Sequence, residues 1–217
     1  MVFKDCLQVG RIIAFKRAGE TRLHMGGIHM KRRMVSAERC LFLKDFFLHP
    51  SRIGSITPSS SHLTEKMLSN LPWEELNTIV ELGAGTGVFT KYVMEHKKHD
   101  SRFLVIEQDT LMRRILMDQF PQALFDAQAE CLPRIMRGWS LPKADCIISG
   151  LPFTVIERRT HLHILAGIDR MLNDNGVFVA FQYSPHMYGT FCRIFRKVDV
   201  GFTFLNLPPA FIYVCRK

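Results

Sequence analysis

Between positions 81 and 87 the chain reads Glu81-Leu82-Gly83-Ala84-Gly85-Thr86-Gly87, and this run limits the fold more than any other stretch. Three glycines at alternate positions let the backbone turn tightly and approach a ligand without Cβ interference. The run follows a short β-rich stretch, Thr78–Leu82, and opens an apolar-periodic segment that predicts a helix from about Thr86 to His96. A strand, a glycine turn and a helix in that order bring free N–H groups and the positive end of a helix dipole to one place. The spacing is not that of a dinucleotide fingerprint, because Val88 stands where the third glycine of G-x-G-x-x-G would fall. The Gly-Lys-Ser/Thr of a phosphate-cradling loop is also absent.

The same alternation continues along the chain. Expected strands are Phe103–Glu107, Ala123–Asp126, Ala144–Ser149, Val177–Phe181, Val200–Leu205 and Phe211–Val214. Expected helices are Ala37–His49, ending at Pro50, then His62–Asn70, Thr110–Phe120, His161–Leu172 and Met187–Lys197. Asn175-Gly176 reads as the stop signal of the helix His161–Leu172. Strands alternating with helices imply a mostly parallel sheet covered on both faces. With 47% hydrophobic and 23% charged residues, the chain has the material for a buried core.

Acids sit where the strands meet this loop. Glu81 precedes the glycines and can answer a ligand's ammonium group. Glu107 ends the next strand, where a carboxylate can accept two ribose hydroxyls, and Asp126, within Phe125-Asp126-Ala127, can take an adenine amino group. Asp109 is an alternative to Glu107, but its position before a helix suits an N-cap better. A ligand that combines an amino acid, a ribose and an adenine is S-adenosylmethionine (SAM). From Ser36 to the C-terminus the chain resembles the class I SAM-dependent methyltransferases. That resemblance implies a Rossmann-like α/β fold with a seven-stranded, mostly parallel sheet, an antiparallel last strand and helices on both faces. It also implies that Glu81, Gly83, Gly85 and Gly87 line the methionine moiety, Glu107 the ribose and Asp126 the adenine, with Ala127 and Ser149 completing the cofactor site.

The fourth expected strand runs into Ser149-Gly150-Leu151-Pro152-Phe153. This resembles the N-L-P-Y motif of rRNA adenine dimethyltransferases, in which the Asn side chain holds the target amino group. Gly150 occupies the Asn position and cannot hold a base that way. Leu151, Pro152 and Phe153 still form an apolar wall, and the face of Phe153 suits an aliphatic ammonium. The rRNA enzymes continue into a helical RNA-binding domain, whereas this sequence ends after the last strand, so nucleic acid is the less expected partner. The stretch Ile53-Gly54-Ser55-Ile56-Thr57-Pro58-Ser59-Ser60, the S-G-L-P-F motif and Gln182-Tyr183-Ser184 together resemble bacterial phospholipid N-methyltransferases. The resemblance implies methylation of phosphatidylethanolamine. Tyr183 is then the candidate base, His186 the second, and Ser59, Ser60, Ser184 and His186 are candidates for holding the lipid headgroup.

Charge is uneven. The formal net charge is +9, but residues 1–35 hold eight basic groups against two acids, a net of +6 that leaves +3 for the rest. A basic arm at 1–35 with Phe3, Leu7, Ile13 and Phe15 at roughly helical spacing suits an anionic membrane surface, and residues 36–217 form the expected catalytic domain. No apolar run reaches the roughly 18 residues of a membrane span. Six scattered cysteines without C-x-x-C pairs and histidines without carboxylates at ligand spacing give no expected metal site. The expected location is the cytoplasmic face of the inner membrane.

Overall fold

Thr78–Leu82 is apolar except for Thr78 and Glu81, and every residue of it is buried, the pattern of a central parallel strand. It is β1 of the computed structural model, which describes residues 58–206 and 208–217. The basic arm at 1–35, the expected helix Ala37–His49 and residues 53–57 of the Ile53–Ser60 stretch lie outside the described residues.

Seven strands form one sheet. They are β1, β2 (Arg102–Ile106), β3 (Leu124–Asp126), β4 (Ala144–Ser149), β5 (Leu172–Gln182), β6 (Lys197–Thr203) and β7 (Ala210–Arg216). Their order is β3-β2-β1-β4-β5-β7-β6. The first five run parallel, while β7 inserts antiparallel between β5 and β6. The described helices are α1 (Pro58–Leu68), α2 (Val88–His96), α3 (Thr110–Gln119), α4 (Leu132–Gly138), α5 (Arg158–Met171) and α6 (Tyr188–Ile194). The alternation of side chains along β1 divides the core. Ile79 faces a cluster with Leu63, Met67, Phe89, Val93 and Leu116 from α1, α2 and α3. Val80 and Leu82 face another with Leu132, Met136, Ile164, Leu165, Ile168 and Phe191 from α4, α5 and α6. The architecture is therefore the expected Rossmann-like one.

Local differences have physical causes. The helix expected to stop at Asn175-Gly176 ends earlier, at Met171, and β5 begins at Leu172. Leu172 is fully buried and pairs with Ala144, and the Asn173 amide donates to Asp145 Oδ1 at 2.5 Å, so tertiary pairing overrides the turn signal. Helix α4 carries no periodic run long enough to be expected, being seven residues with Pro133 in its first turn. Asp109 is an N-cap, accepting from Met112 N–H at 2.8 Å.

The order of the strands sets the site. In an open parallel sheet, ligands bind beyond the carboxyl ends of the strands where the order reverses, here between β1 and β4. The amino ends do structural work, as Asp145 shows. Its Oδ2 accepts from Asn77 N–H at 2.8 Å and Thr78 N–H at 3.0 Å, joining the starts of β1 and β4. Asp145→Ala is expected to cost about 1–3 kcal/mol of unfolding free energy in urea titrations. SAM affinity should be unchanged, because Asp145 lies at the opposite end of the sheet from the glycine loop.

Candidate functional site

The glycine loop takes the conformation its composition allows. Gly83, Gly85 and Gly87 have φ of +76°, +54° and +81°, a region that L side chains rarely adopt. At two of them an added Cβ would also press on a neighbouring leucine side chain. A Cβ on Gly83 would lie 2.7 Å from Leu151 Cδ2, and one on Gly87 would lie 2.4 Å from Leu116 Cδ2. A Cβ on Gly85 would meet nothing within 4 Å, so this glycine borders open space into which a ligand can fit. Gly87 caps α2 without a side chain, leaving the first turn's N–H groups directed at the loop.

Two acids brace this space. Glu107, the residue after β2, is buried and accepts from Gly85 N–H through Oε2 at 2.7 Å and from Asp109 N–H through Oε1 at 2.8 Å. One carboxylate thus ties the β1 loop to the β2 loop, and each oxygen retains a second lone pair for a ligand hydroxyl. Glu81 is fully buried on the α2 side of β1. Its Oε2 accepts from Thr90 Oγ1 at 2.7 Å, while Oε1 has no hydrogen-bond partner. Burial, and secondarily the charge of Glu107, pushes the Glu81 carboxyl up to about 8 against the hydrogen bond from Thr90. A buried acceptor without a partner is costly, and a cationic ligand group would relieve it. Asp126, half-buried at the end of β3, accepts from Ala127 N–H through Oδ1 at 2.7 Å, and Glu107 N–H donates to the Asp126 carbonyl at 3.0 Å. The acids expected at three strand ends therefore lie on one edge of the sheet.

At the end of β4 the backbones crowd together. Gly150 N–H donates to the Leu82 carbonyl at 2.9 Å, and a Cβ on Gly150 would lie 2.6 Å from the Gly83 carbonyl oxygen. Ser149 is buried and its Oγ accepts from Leu151 N–H at 3.2 Å. Gln182, at the end of β5, is buried and donates through Nε2 to the carbonyls of Leu151 at 2.8 Å and Phe181 at 2.6 Å. Gln182 is thus a further residue of the site, and its only signal in the sequence is that it opens the Gln182-Tyr183-Ser184 run. Leu151 and Pro152 are half-buried at this edge. Phe153 differs from expectation. Its ring is 1% exposed and packs edge-on to Phe191 at 6.1 Å, so its face is covered by core and is not presented to an ammonium.

Beyond β5, Tyr183 stacks edge-on to Phe181 at 5.5 Å and shares a side-chain hydrogen bond with Asn206. Burial raises its phenol above the ordinary value, so at neutral pH it is a neutral hydroxyl and not a phenolate base. His186 is exposed, with Nδ1 3.0 Å from Ser184 Oγ. The backbone of Ser59 and Ser60 lies in the first turn of α1, while their side chains lie outside what is described. Among the described residues, no group of three or more His, Cys, Asp and Glu is placed to hold a metal.

The chain is similar to known proteins over most of its length. The ornithine lipid N-methyltransferase of Singulisphaera acidiphila is 35% identical over 181 residues, spanning 81% of this chain and 94% of that protein. Among solved structures, an O-methyltransferase from Bacillus cereus in complex with SAH superposes with a TM-score of 0.61 at 10% identity, covering 83% of this chain and 90% of that one. The precorrin-6y C5,15-methyltransferase of Geobacter metallireducens superposes with a TM-score of 0.57 at 15% identity, covering 72% and 88%. These two likenesses are of fold. No protein-family model matches the chain.

Two substitutions test the geometry. The folded value of Glu81, about 8, lies above its ordinary 4.5, so between those pH values the folded chain holds a proton that the unfolded chain has released. Stability from this group is therefore greatest below pH 4.5 and is lost as the pH rises through about 8. Glu81→Gln removes that slope, and at pH 9 the ligand-free variant should melt about 2–5 °C above the parent by calorimetry. Gly150→Ala should lose about 1–3 kcal/mol in urea titrations and bind SAM more weakly, because the Gly83 carbonyl must move away.

Proposed function

The chain belongs to the class I SAM-dependent methyltransferases, in the family of the ornithine lipid N-methyltransferase, and we propose that its acceptor is the primary amine of a membrane lipid headgroup. The observation that carries this reading is the 35% identity over 94% of a relative whose name gives a lipid as acceptor. The Gly83–Gly150 contact supports it, since it leaves no room at position 150 for the side-chain amide that would hold a nucleobase. Phosphatidylethanolamine is the first acceptor, on the resemblance to phospholipid N-methyltransferases. The ornithine headgroup is the second, on the relative's name.

The residues present fit the methyl donor. Glu81 Oε1, buried without a partner, suits the methionine ammonium, and the open side of Gly85 suits the chain that carries it. The remaining lone pairs of Glu107 suit the ribose hydroxyls. Asp126, with Ala127, suits the adenine amino group, and Ser149 fixes the Leu151 N–H at the cleft's floor. When bound, SAM supplies a methyl group already activated by its sulfonium centre. What the protein contributes is position. Two acids flanking the cleft favour a cationic ligand, and Gln182 and Ser149 hold the Gly150-Leu151-Pro152 turn on which the acceptor rests.

The amine must arrive without its extra proton, because only the free lone pair can attack. Tyr183, a neutral phenol anchored by Asn206, orients that nitrogen through a hydrogen bond. His186 with Ser184 takes the proton at the same edge, and Ser59 and Ser60 complete the headgroup contacts. Working at the cytoplasmic face of the inner membrane, the domain at 36–217 would be assisted by the basic arm at 1–35, which adds attraction to anionic lipid. Among the described residues no helix is long and apolar enough to cross a membrane.

Purified protein with methyl-labelled SAM should transfer label to phosphatidylethanolamine vesicles, or to ornithine-lipid vesicles if the second acceptor holds. Label entering rRNA and neither lipid would overturn the proposal.

A further inference from the structure

The β6–β7 connection lies at the same edge as the catalytic site. Strand β6 is antiparallel to β7, which is antiparallel to β5, so β6 ends at the carboxyl edge of the sheet. Immediately after it come Phe204, 80% exposed, and Leu205, 66% exposed. Isolated exposed apolar residues are common, but these two are adjacent and propped up from below. The Phe204 ring stands edge-on to Phe202 at 4.6 Å, Phe202 lies 4.8 Å from Phe211, and Phe211 pairs in register with Gln182. An aromatic ladder therefore runs from Phe211, beside the end of β5, out to the tip. At its base Asn206 is buried, shares a hydrogen bond with Tyr183, and donates to the Pro208 carbonyl at 2.7 Å. A cation stands beside it, since Lys66 Nζ donates to the Phe202 carbonyl at 2.7 Å. Exposed Arg158 and Arg159 open α5 at the same edge of the sheet.

We propose that Phe204 and Leu205 form a membrane-docking tip that inserts into the interfacial region of an anionic bilayer. The proposal rests on the lipid-acceptor reading above. Apolar side chains at the point of a loop, with Lys66 beside its base and arginines elsewhere on the same edge of the sheet, match a surface whose headgroups are negative and whose interior is apolar. Docking through this tip brings the headgroup layer to Tyr183 and the Gly150 turn, so that a lipid amine reaches the site without its acyl chains leaving the membrane. The hydrogen bond between Asn206 and Tyr183 joins the docking element to the acceptor side of the cleft.

The test uses the full chain and the double variant Phe204→Ser with Leu205→Ser. Binding is measured by co-sedimentation with vesicles of phosphatidylglycerol and phosphatidylethanolamine, at low and high salt. High salt screens attraction by basic segments and leaves the apolar contribution. There the variant's vesicle partitioning should fall about tenfold or more, while SAM affinity stays that of the parent. Vesicle binding equal to the parent's at high salt would overturn the proposal. So would a parent dimer that the variant dissolves with vesicle binding unchanged, because the tip would then serve a second copy. The acceptor reading fails separately. If vesicle binding depends on the tip but no lipid is methylated, the docking surface stands and the acceptor falls. If methylation of vesicle lipid is unaffected by the double variant, the acceptor stands and the tip falls.

Discussion

The carboxyl ends of β1 and β4 approach so closely that Gly150 cannot carry a side chain unless the Gly83 carbonyl moves, and much of the site follows from that contact. A Cβ on Gly150 would reach to 2.6 Å from the Gly83 carbonyl, and one on Gly83 would press on Leu151. The contact closes the sheet's switch point into a narrow floor. It also dictates what chemistry the floor can offer, since an asparagine cannot occupy position 150 without pushing the glycine loop outward. Recognition at this turn passes to the backbone and to neighbours that hold it. Ser149 takes the Leu151 N–H and Gln182 takes the Leu151 carbonyl, so both backbone polar groups of that residue are fixed from inside the core. A turn braced in this way is pre-organised, and little ordering remains for the moment of reaction.

Electrostatics set the other half of the cleft. Glu107 is satisfied on both oxygens by backbone N–H groups. Glu81 is not. It has one hydrogen bond from Thr90, one oxygen with no partner, complete burial, and a second carboxylate nearby. The ligand-free protein therefore carries an acid that is stable as the neutral form and becomes an anion readily only when a cation arrives. For a cofactor whose methionine end is an ammonium and whose reactive centre is a sulfonium, such a residue supplies selectivity as well as affinity.

Much of this was legible in the sequence, for reasons that can be named. Strand β1, the glycines and Glu107 are contiguous or lie at strand ends, where hydrophobic pattern and backbone chemistry coincide. Gly150 was visible as a departure from a motif, but its cause was not, because the oxygen it must avoid lies 67 positions earlier in the chain, at Gly83. Gln182 was invisible as a brace for the same reason, since its partner Leu151 comes from another strand end. The early start of β5 was missed because Asn175-Gly176 has strong turn chemistry, and only the pairing of Leu172 with Ala144 outweighs it. The orientation of Phe153 is not legible in the sequence because an aromatic after a proline turn can face either cleft or core, and α6 supplies Phe191 to draw it inward.

The covered Phe153 sharpens how an amine would be handled. An open aromatic face beside the methyl donor would favour the protonated ammonium, which has no lone pair to give. With that ring turned into the core, the apolar surface nearest Gly150 belongs to Phe89, whose ring would lie 3.7 Å from a Cβ there and which meets Phe181 at 5.9 Å. These rings are buried edges of the floor, and they exclude water more than they attract charge. An ammonium moved from the headgroup layer towards such a floor loses solvation, which favours release of its proton. In the proposed reading, the acids that stabilise positive charge lie on the cofactor side, at Glu81 and Glu107, while the acceptor side is lined by a neutral phenol, carbonyl groups held by Gln182, and aromatic carbon. That division would let one cleft bind a cationic donor and still receive the acceptor as a neutral base, which is the combination a methyl transfer to nitrogen requires.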